Sequence, residues 1–349
     1  MAHLLENPAI DLAWWPEGGH LVIAAGVAPA QQVLAVASGK QENITKHRLW
    51  SQAKAEQQRT VTSTVWVDGL VLRERYGEFP IPVPDAKPVV INEALKILGL
   101  DTVEELVVES GYEGKALWSE THLKAPGKRT GLLSMLEGDT ISFDDLPPLP
   151  AKTNSFLATS MNLGESYATL RKVIRESMAY GPKEASQQFE GAIDMIPGIL
   201  GFDPKADLLD HLGPIVVVCD DPEQGFFGTG GTLIVQVKDA EKLRQTFENI
   251  FTKINSLAPN QEPLKVYRTK KQGREIWTFE FGDTLHSFGI VIDEKWMVVA
   301  FMPQPVEAFF LRMEGKLPKW SKEQLQESGA PVVPEKFTTL GVSSPRVIY

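Results

Sequence analysis

Cysteine, positive charge and long apolar runs are all scarce in this chain. Cys219 is the single cysteine among 349 residues, so an internal disulfide and a four-thiolate zinc site are both excluded. The 35 basic residues are outnumbered by 45 acidic ones, and the net charge of −10 opposes binding to nucleic acid or to anionic lipid. Apolar stretches such as residues 21–30 fall short of the roughly 18 residues that a membrane-spanning helix needs. These absences predict a soluble globular chain with no transmembrane segment and no nucleic-acid partner.

The apolar pattern predicts an α+β fold. Four short apolar segments follow one another between residues 264 and 301, and turn residues separate them, which is typical of an antiparallel meander. Residues 240–257 carry apolar side chains at spacings of three and four, which predicts a long amphipathic helix. We therefore expect antiparallel sheets with helices packed on one face. Residues 1–8 contain no basic region followed by an apolar segment, so we expect no signal peptide there.

Two segments that lie 276 residues apart have the same construction. Each consists of a strand pattern, a proline, a helical apolar stripe and a glycine, and we expect the strand at residues 20–27 to be buried. Pro29 and Gly39 of the first segment match Pro305 and Gly315 of the second, and five of 21 paired positions are identical. This agreement predicts internally repeated strand-helix-helix-strand units.

Further similarities favour a repeat. Trp50-Ser51 recurs as Trp320-Ser321, and the pattern Ile-Leu-Gly-x-Asp occurs both at Ile97–Asp101 and at Ile199–Asp203. The alternative interpretation is that any α+β protein contains many strand-then-helix pairs. The similarities would then carry no information about repeats.

The repeat and one proline-rich segment divide the chain into three parts. Residues 146–150 contain three prolines and are the best linker candidate. We expect a first α+β unit at residues 1–146, a second with the antiparallel meander at 151–316, and the start of a further, truncated repeat at 317–349. Because the chain stops directly after a repeated strand pattern, we expect a fragment or a split gene product.

The densest polar cluster extends from Asp203 to His211. On a helix, Asp207 and His211 lie one turn apart on the same face, close enough to bind one metal ion, with Asp203 one turn earlier. The structural alternative is that Asp203 caps a helix whose first residue is Pro204. A third strong ligand at a matching spacing is missing, and the six histidines are scattered. No catalytic, cofactor-binding or metal-binding residue is therefore assigned.

Other motifs predict turns or core positions. Residues 225–231 are rich in glycine but precede a strand, which predicts a hairpin loop rather than a phosphate-binding loop. Asp220 and Asp221 are expected in a turn with their carboxylates in solvent, and Cys219 is expected to be buried at the end of an apolar strand. Trp14-Trp15 indicates either an exposed adhesive surface or the cover of a core end.

These segments together resemble a family of uncharacterised bacterial proteins, a domain of unknown function whose members are often predicted to be exported. The resemblance is carried by Ser110–Gly114, Thr130–Leu133, the two Ile-Leu-Gly-x-Asp segments, His211–Gly213 and Val237–Ala240. It implies repeated α+β units and a location in the cell envelope. It supplies no activity, cofactor or functional residue.

Visible repeats without a catalytic constellation favour a non-enzymatic repeat protein. We expect a binding or scaffold module for other proteins or for components of the cell envelope. The alternative is a metal-dependent hydrolase built around Asp207, Asp210 and His211. A third class is a carrier of lipids or small ligands, which would need an apolar cavity between sheet and helices. The sequence leaves the identity of the partner and the oligomeric state open.

Overall fold

A computed structural model describes residues 11–26, 28–47, 50, 61–84, 87–113, 116–225, 229–257, 265–271, 273–280, 287–327 and 333–343. The strands are β1 (Asp11–Glu17), β2 (His20–Gly26), β3 (Val61–Asp68), β4 (Pro80–Ile81), β5 (Val89–Val90), β6 (Glu105–Glu113), β7 (Ala116–Lys124), β8 (Ile141–Ser142), β9 (Ser155–Ser160), β10 (Leu212–Asp220), β11 (Gly231–Val237), β12 (Lys265–Lys271), β13 (Arg274–Glu280), β14 (Ser287–Ile292), β15 (Trp296–Ala300), β16 (Lys336–Phe337) and β17 (Thr339–Ser343). The helices are α1 (Pro29–Ala37), α2 (Gly69–Tyr76), α3 (Ile91–Leu98), α4 (Gly131–Ser134), α5 (Leu163–Met178), α6 (Lys183–Leu200), α7 (Ala240–Leu257), α8 (Pro303–Met313) and α9 (Glu323–Glu327).

The largest sheet has eight antiparallel strands in the order β12-β13-β14-β15-β11-β10-β9-β17. The predicted meander is confirmed, because β12, β13, β14 and β15 are neighbours in the sheet as they are along the chain. A three-stranded sheet, β3-β6-β7, contains the hairpin formed by β6 and β7. The α+β class with antiparallel sheets is confirmed.

Helices cover both faces of the large sheet, so the prediction of helices on one face is wrong. Val298 packs with α8 through Val306 and Phe309 on one face, whereas its neighbour Met297 packs with α7 through Leu243 on the other. The reason is visible in the strand sequences. β15 reads Trp-Met-Val-Val-Ala and is apolar at every position, which is the pattern of a strand buried on both sides.

The last described segment completes this sheet and its core. β17 pairs with β9 at the sheet edge, and β16 pairs with β8. Trp320 contacts Phe143 and Phe156 with ring-centroid distances of 6.2 and 4.9 Å. Strands of the predicted third part, residues 317–349, therefore pair with β8 of the predicted first part and with β9 of the predicted second part. The three-part division of the chain stays a prediction.

A two-stranded hairpin and a helix pack together at the start of the described chain. β1 pairs with β2, and α1 packs against both strands. The strand predicted at residues 20–27 is present as β2, but the expectation that it is buried is wrong, because Leu21 and Ile23 are each 63% exposed. Among the described residues, no helix covers the side of the hairpin on which Leu21 and Ile23 lie.

Helix ends account for several of the repeated residues. Gly99 and Gly201 follow α3 and α6 with φ of +73° and +80°, and Gly39 and Gly315 follow α1 and α8 with φ of +74° and +72°. Glycine is the residue that most readily adopts this left-handed conformation, so each helix end favours it independently of any repeat. The prolines differ in role, since Pro29 is the first residue of α1 whereas α8 begins two residues before Pro305. The repeat stays a prediction.

Candidate functional site

The predicted cluster at Asp203 to His211 forms a cap and a tight turn. The Asp203 carboxylate accepts hydrogen bonds from the backbone amides of Lys205 and Ala206 at 2.8 and 2.9 Å. The Asp207 carboxylate accepts one from the Asp203 amide at 2.7 Å. The structural alternative for Asp203 is therefore confirmed, although the helical segment that follows is a single π turn at Pro204–Leu208.

Asp210 and His211 contact different partners. Lys205 Nζ lies 3.0 Å from Asp210 Oδ1 and 3.2 Å from Glu165 Oε1, and these two carboxylates raise the pKa of Lys205. His211 Nδ1 lies 4.0 Å from Asp239 Oδ2. In the part of the chain that the structure describes, no three His, Cys, Asp or Glu side chains form a group that could hold a metal ion. Asp207, Asp210 and His211 thus do not converge on one point.

Asp210 and Lys205 line an open polar cleft of about 790 Å³. Its other charged residues come from separate segments and are Glu137, Asp139, Glu165 and Lys238. Ser160 also lines it, and the Ser160 Oγ is buried without a hydrogen-bond partner among the described residues. The sequence does not predict this grouping, because the charged residues come from separate loops, turns and a helix and share no local spacing. The cleft offers carboxylates and ammonium groups in one place but not the predicted trio.

A buried ion pair lies beside the glycine-rich loop. Arg312 of α8 donates to the Asp221 carboxylate, and both residues are almost completely buried. Residues 226–228 of the loop lie outside the described residues. The expectation that Asp221 is in solvent is wrong, because its side chain is almost completely buried against Arg312. The Asp221 amide also donates to the Gly230 carbonyl at 3.0 Å. The pair joins α8 to the end of β10.

Asp220 and Cys219 are also structural. The Asp220 carboxylate accepts hydrogen bonds from Thr153 Oγ1, from the amide and side chain of Asn154, and from the Ser155 amide, at distances of 2.7 to 3.0 Å. Cys219 is buried as predicted, and burial raises the pKa of its thiol to about 12. A thiol with such a pKa is a poor nucleophile near neutral pH. The hydrogen bonds of Asp220 hold the end of β10 to the start of β9.

Four exposed apolar side chains lie together on one side of the hairpin of β1 and β2. Leu12, Trp14, Leu21 and Ile23 are 69%, 70%, 63% and 63% exposed, and we call these four residues the hairpin face. Trp14 is paired with Ile23 in the strand register, so their side chains lie on the same side of the two-stranded sheet. A monomer rarely leaves such neighbouring apolar groups in water without a role in binding.

Trp15 belongs to the opposite side of this hairpin. It is partly buried, and its Nε1 donates to Glu17 Oε2 at 3.0 Å. The two tryptophans therefore take different roles. Trp14 agrees with the exposed-surface interpretation of the Trp14-Trp15 pair.

Comparison with known proteins gives no relative. No known protein family matches the chain, and no match is found among curated proteins or among solved structures. The resemblance to an exported bacterial family stays an expectation. The described residues contain no helix that is both long enough and apolar enough to cross a bilayer.

Proposed function

We propose that the chain is a non-enzymatic binding module whose N-terminal hairpin face contacts a partner polypeptide. The observation that carries the proposal is the exposure of four apolar side chains on one side of the hairpin, Leu12, Trp14, Leu21 and Ile23. Covering them would remove a large apolar area from water, which is the main favourable contribution to protein association. A component of the cell envelope with a polypeptide surface fits the same description.

The other two hypotheses find no comparable support. The hydrolase hypothesis needs Asp207, Asp210 and His211 around one metal ion, whereas each of them contacts a separate partner. The carrier hypothesis needs an apolar cavity between sheet and helices. In the described residues, apolar side chains pack between the large sheet and the helices on each face. They include Leu243 of α7 and Val306 of α8.

Site-specific photo-crosslinking tests the proposal. A photoreactive amino acid replaces Leu21 on the hairpin face or, as a control, Leu117 of β7, which is 69% exposed on a different sheet. The proposal predicts a discrete adduct with a partner polypeptide at position 21 and none of the same mass at position 117. The absence of an adduct at position 21, or equal adducts at both positions, would contradict it.

A further inference from the structure

The two hairpins have the same strand register at an offset of 276 residues. Ala13 pairs with Ala24, and Gly289 pairs with Ala300, so both partners move by that same number of residues. The helix that follows each hairpin, α1 or α8, packs against both of its strands. This agreement is independent of the residue identities. It lets each position of the first hairpin be assigned an equivalent in the second.

The equivalents of the hairpin face are covered in the second hairpin. Leu12, Trp14, Leu21 and Ile23 correspond to Phe288, Ile290, Met297 and Val299. These four residues all belong to the apolar cluster that α7 completes with Leu243, Phe247 and Phe251. The opposite face of each hairpin is already occupied by α1 or α8. The hairpin face is thus the side on which an amphipathic helix lies in the equivalent unit.

We propose that the hairpin face binds an amphipathic α-helix of a partner polypeptide, on the side of the hairpin that is equivalent to the side of β14 against which α7 packs. This inference rests on the proposed function and names the chemistry of the partner. The helix would present apolar side chains three and four residues apart, because Leu243, Phe247, Ile250 and Phe251 of α7 belong to the cluster that contains the equivalent face. The rings of Phe247 and Phe251 also contact Trp277 of the neighbouring β13.

The two hairpins differ at their edges, and α7 also contacts the turn end of the second hairpin. β14 and β15 are flanked by β13 and β11, whereas the outer edges of β1 and β2 have no partner strand among the described residues. On α7, Arg244 donates to the Ile292 carbonyl at the turn end of the second hairpin at 3.0 Å. Glu17, at the turn end of the first hairpin, lies on the opposite side together with Trp15, which donates to it, and is not part of the hairpin face.

The probe is a fluorescein-labelled peptide with the sequence of residues 240–257, titrated with the full chain and followed by fluorescence anisotropy. We expect saturable binding that Leu21→Lys weakens by about tenfold or more, because it removes a buried leucine contact. Leu117→Lys, an equally exposed strand position on another sheet, is expected to leave the affinity unchanged. A peptide with Phe247→Asp and Phe251→Asp is expected not to bind.

Several results would overturn the inference. Binding that Leu117→Lys weakens as much as Leu21→Lys places the peptide elsewhere, and no saturable binding means that the face does not accept a helix of this kind. Concentration-dependent dimers in sedimentation velocity that Leu21→Lys abolishes, without peptide binding, would identify a second copy as the occupant. A crosslinked partner at position 21 combined with no peptide binding would refute the helix while leaving the proposed function intact.

Discussion

At the scale of single residues, the least expected feature is a charged pair in the interior. Asp221 follows an apolar strand in a turn-like sequence, Asp-Asp-Pro, and such sequences predict exposed carboxylates. Its burial depends on Arg312, which is 91 residues away along the chain. No local pattern connects the two residues, so only the folded structure reveals the pair. Removing one partner leaves the other charge buried and uncompensated.

Arg312→Met is therefore expected to lower the free energy of unfolding by about 3–5 kcal/mol, measured by urea denaturation. Asp221→Asn in the same chain is expected to restore part of the loss, because the unpaired charge is then gone. The matched control is Lys152→Met, which breaks an exposed ion pair with Glu223 and should cost less than about 1 kcal/mol. An Arg312→Met effect as small as that of the control would contradict the burial.

Cys219 is expected to be inert in the folded chain. Because burial raises the pKa of its thiol to about 12, iodoacetamide at pH 8 should alkylate it only after urea unfolds the chain. The raised pKa also means that its contribution to stability is present below pH 9 and is lost as the pH rises towards 12, since the unfolded thiol ionises first. Comparison with Cys219→Ala isolates this contribution. Rapid alkylation of the native chain would contradict the burial of the Cys219 thiol.

At the scale of elements, the sequence predicts the long periodic segments well. The bounds predicted for α7 are those of the structure, because its apolar stripe is continuous over 18 residues. The sequence does not predict β1, because apolar and polar residues do not alternate in Trp14-Trp15-Pro16 and the segment resembles a turn. β8 and β16 have two residues each, which is too short for any periodicity. The glycines at helix ends match between the proposed repeats, but the left-handed cap conformation favours glycine at each of them without a repeat.

The helix-end glycines differ in how closely other atoms approach them, and substitution by alanine tests this difference. Gly99→Ala is expected to destabilise the fold by about 3 kcal/mol or more, because a Cβ there would lie 1.8 Å from the Thr130 carbonyl oxygen. Gly39 has nearly the same φ, but no described atom lies within 4 Å of its Cβ position, so Gly39→Ala should cost about 1–2 kcal/mol. Thermal unfolding of both variants measures the difference. Equal costs would contradict the close contact at Gly99.

At the scale of the whole molecule, burial is decided by what covers a strand. The apolar strands at 20–26 and 296–300 have similar patterns, but the second is buried on both sides and the first is exposed on one. A pattern shows which residues are apolar, and it does not show whether a helix lies above them. The hairpin face was therefore predictable only at Trp14, where the sequence allowed an exposed surface. The division into repeats and the polar cleft likewise depend on contacts between distant segments.

The metal-dependent hydrolase hypothesis predicts that a bound metal ion stabilises the whole chain, whereas our proposal predicts no such effect. We expect the melting temperature of the full chain to be the same with and without a chelator, and Asp203→Ala to lower stability by about 0.5–2 kcal/mol through loss of its cap. His211→Gln serves as the comparison, since its nearest acidic partner is 4.0 Å away. Chelator-sensitive melting that His211→Gln abolishes would support the hydrolase instead.

Hydrogen exchange of the full chain, with and without the peptide of residues 240–257, tests the central claim most directly. The claim is that the hairpin face accepts an amphipathic helix. We predict that the peptide slows amide exchange in residues 11–26 and leaves β7 unchanged, and that Leu21→Lys removes this protection. Unchanged exchange in residues 11–26 at saturating peptide, or protection confined to other strands, would contradict it.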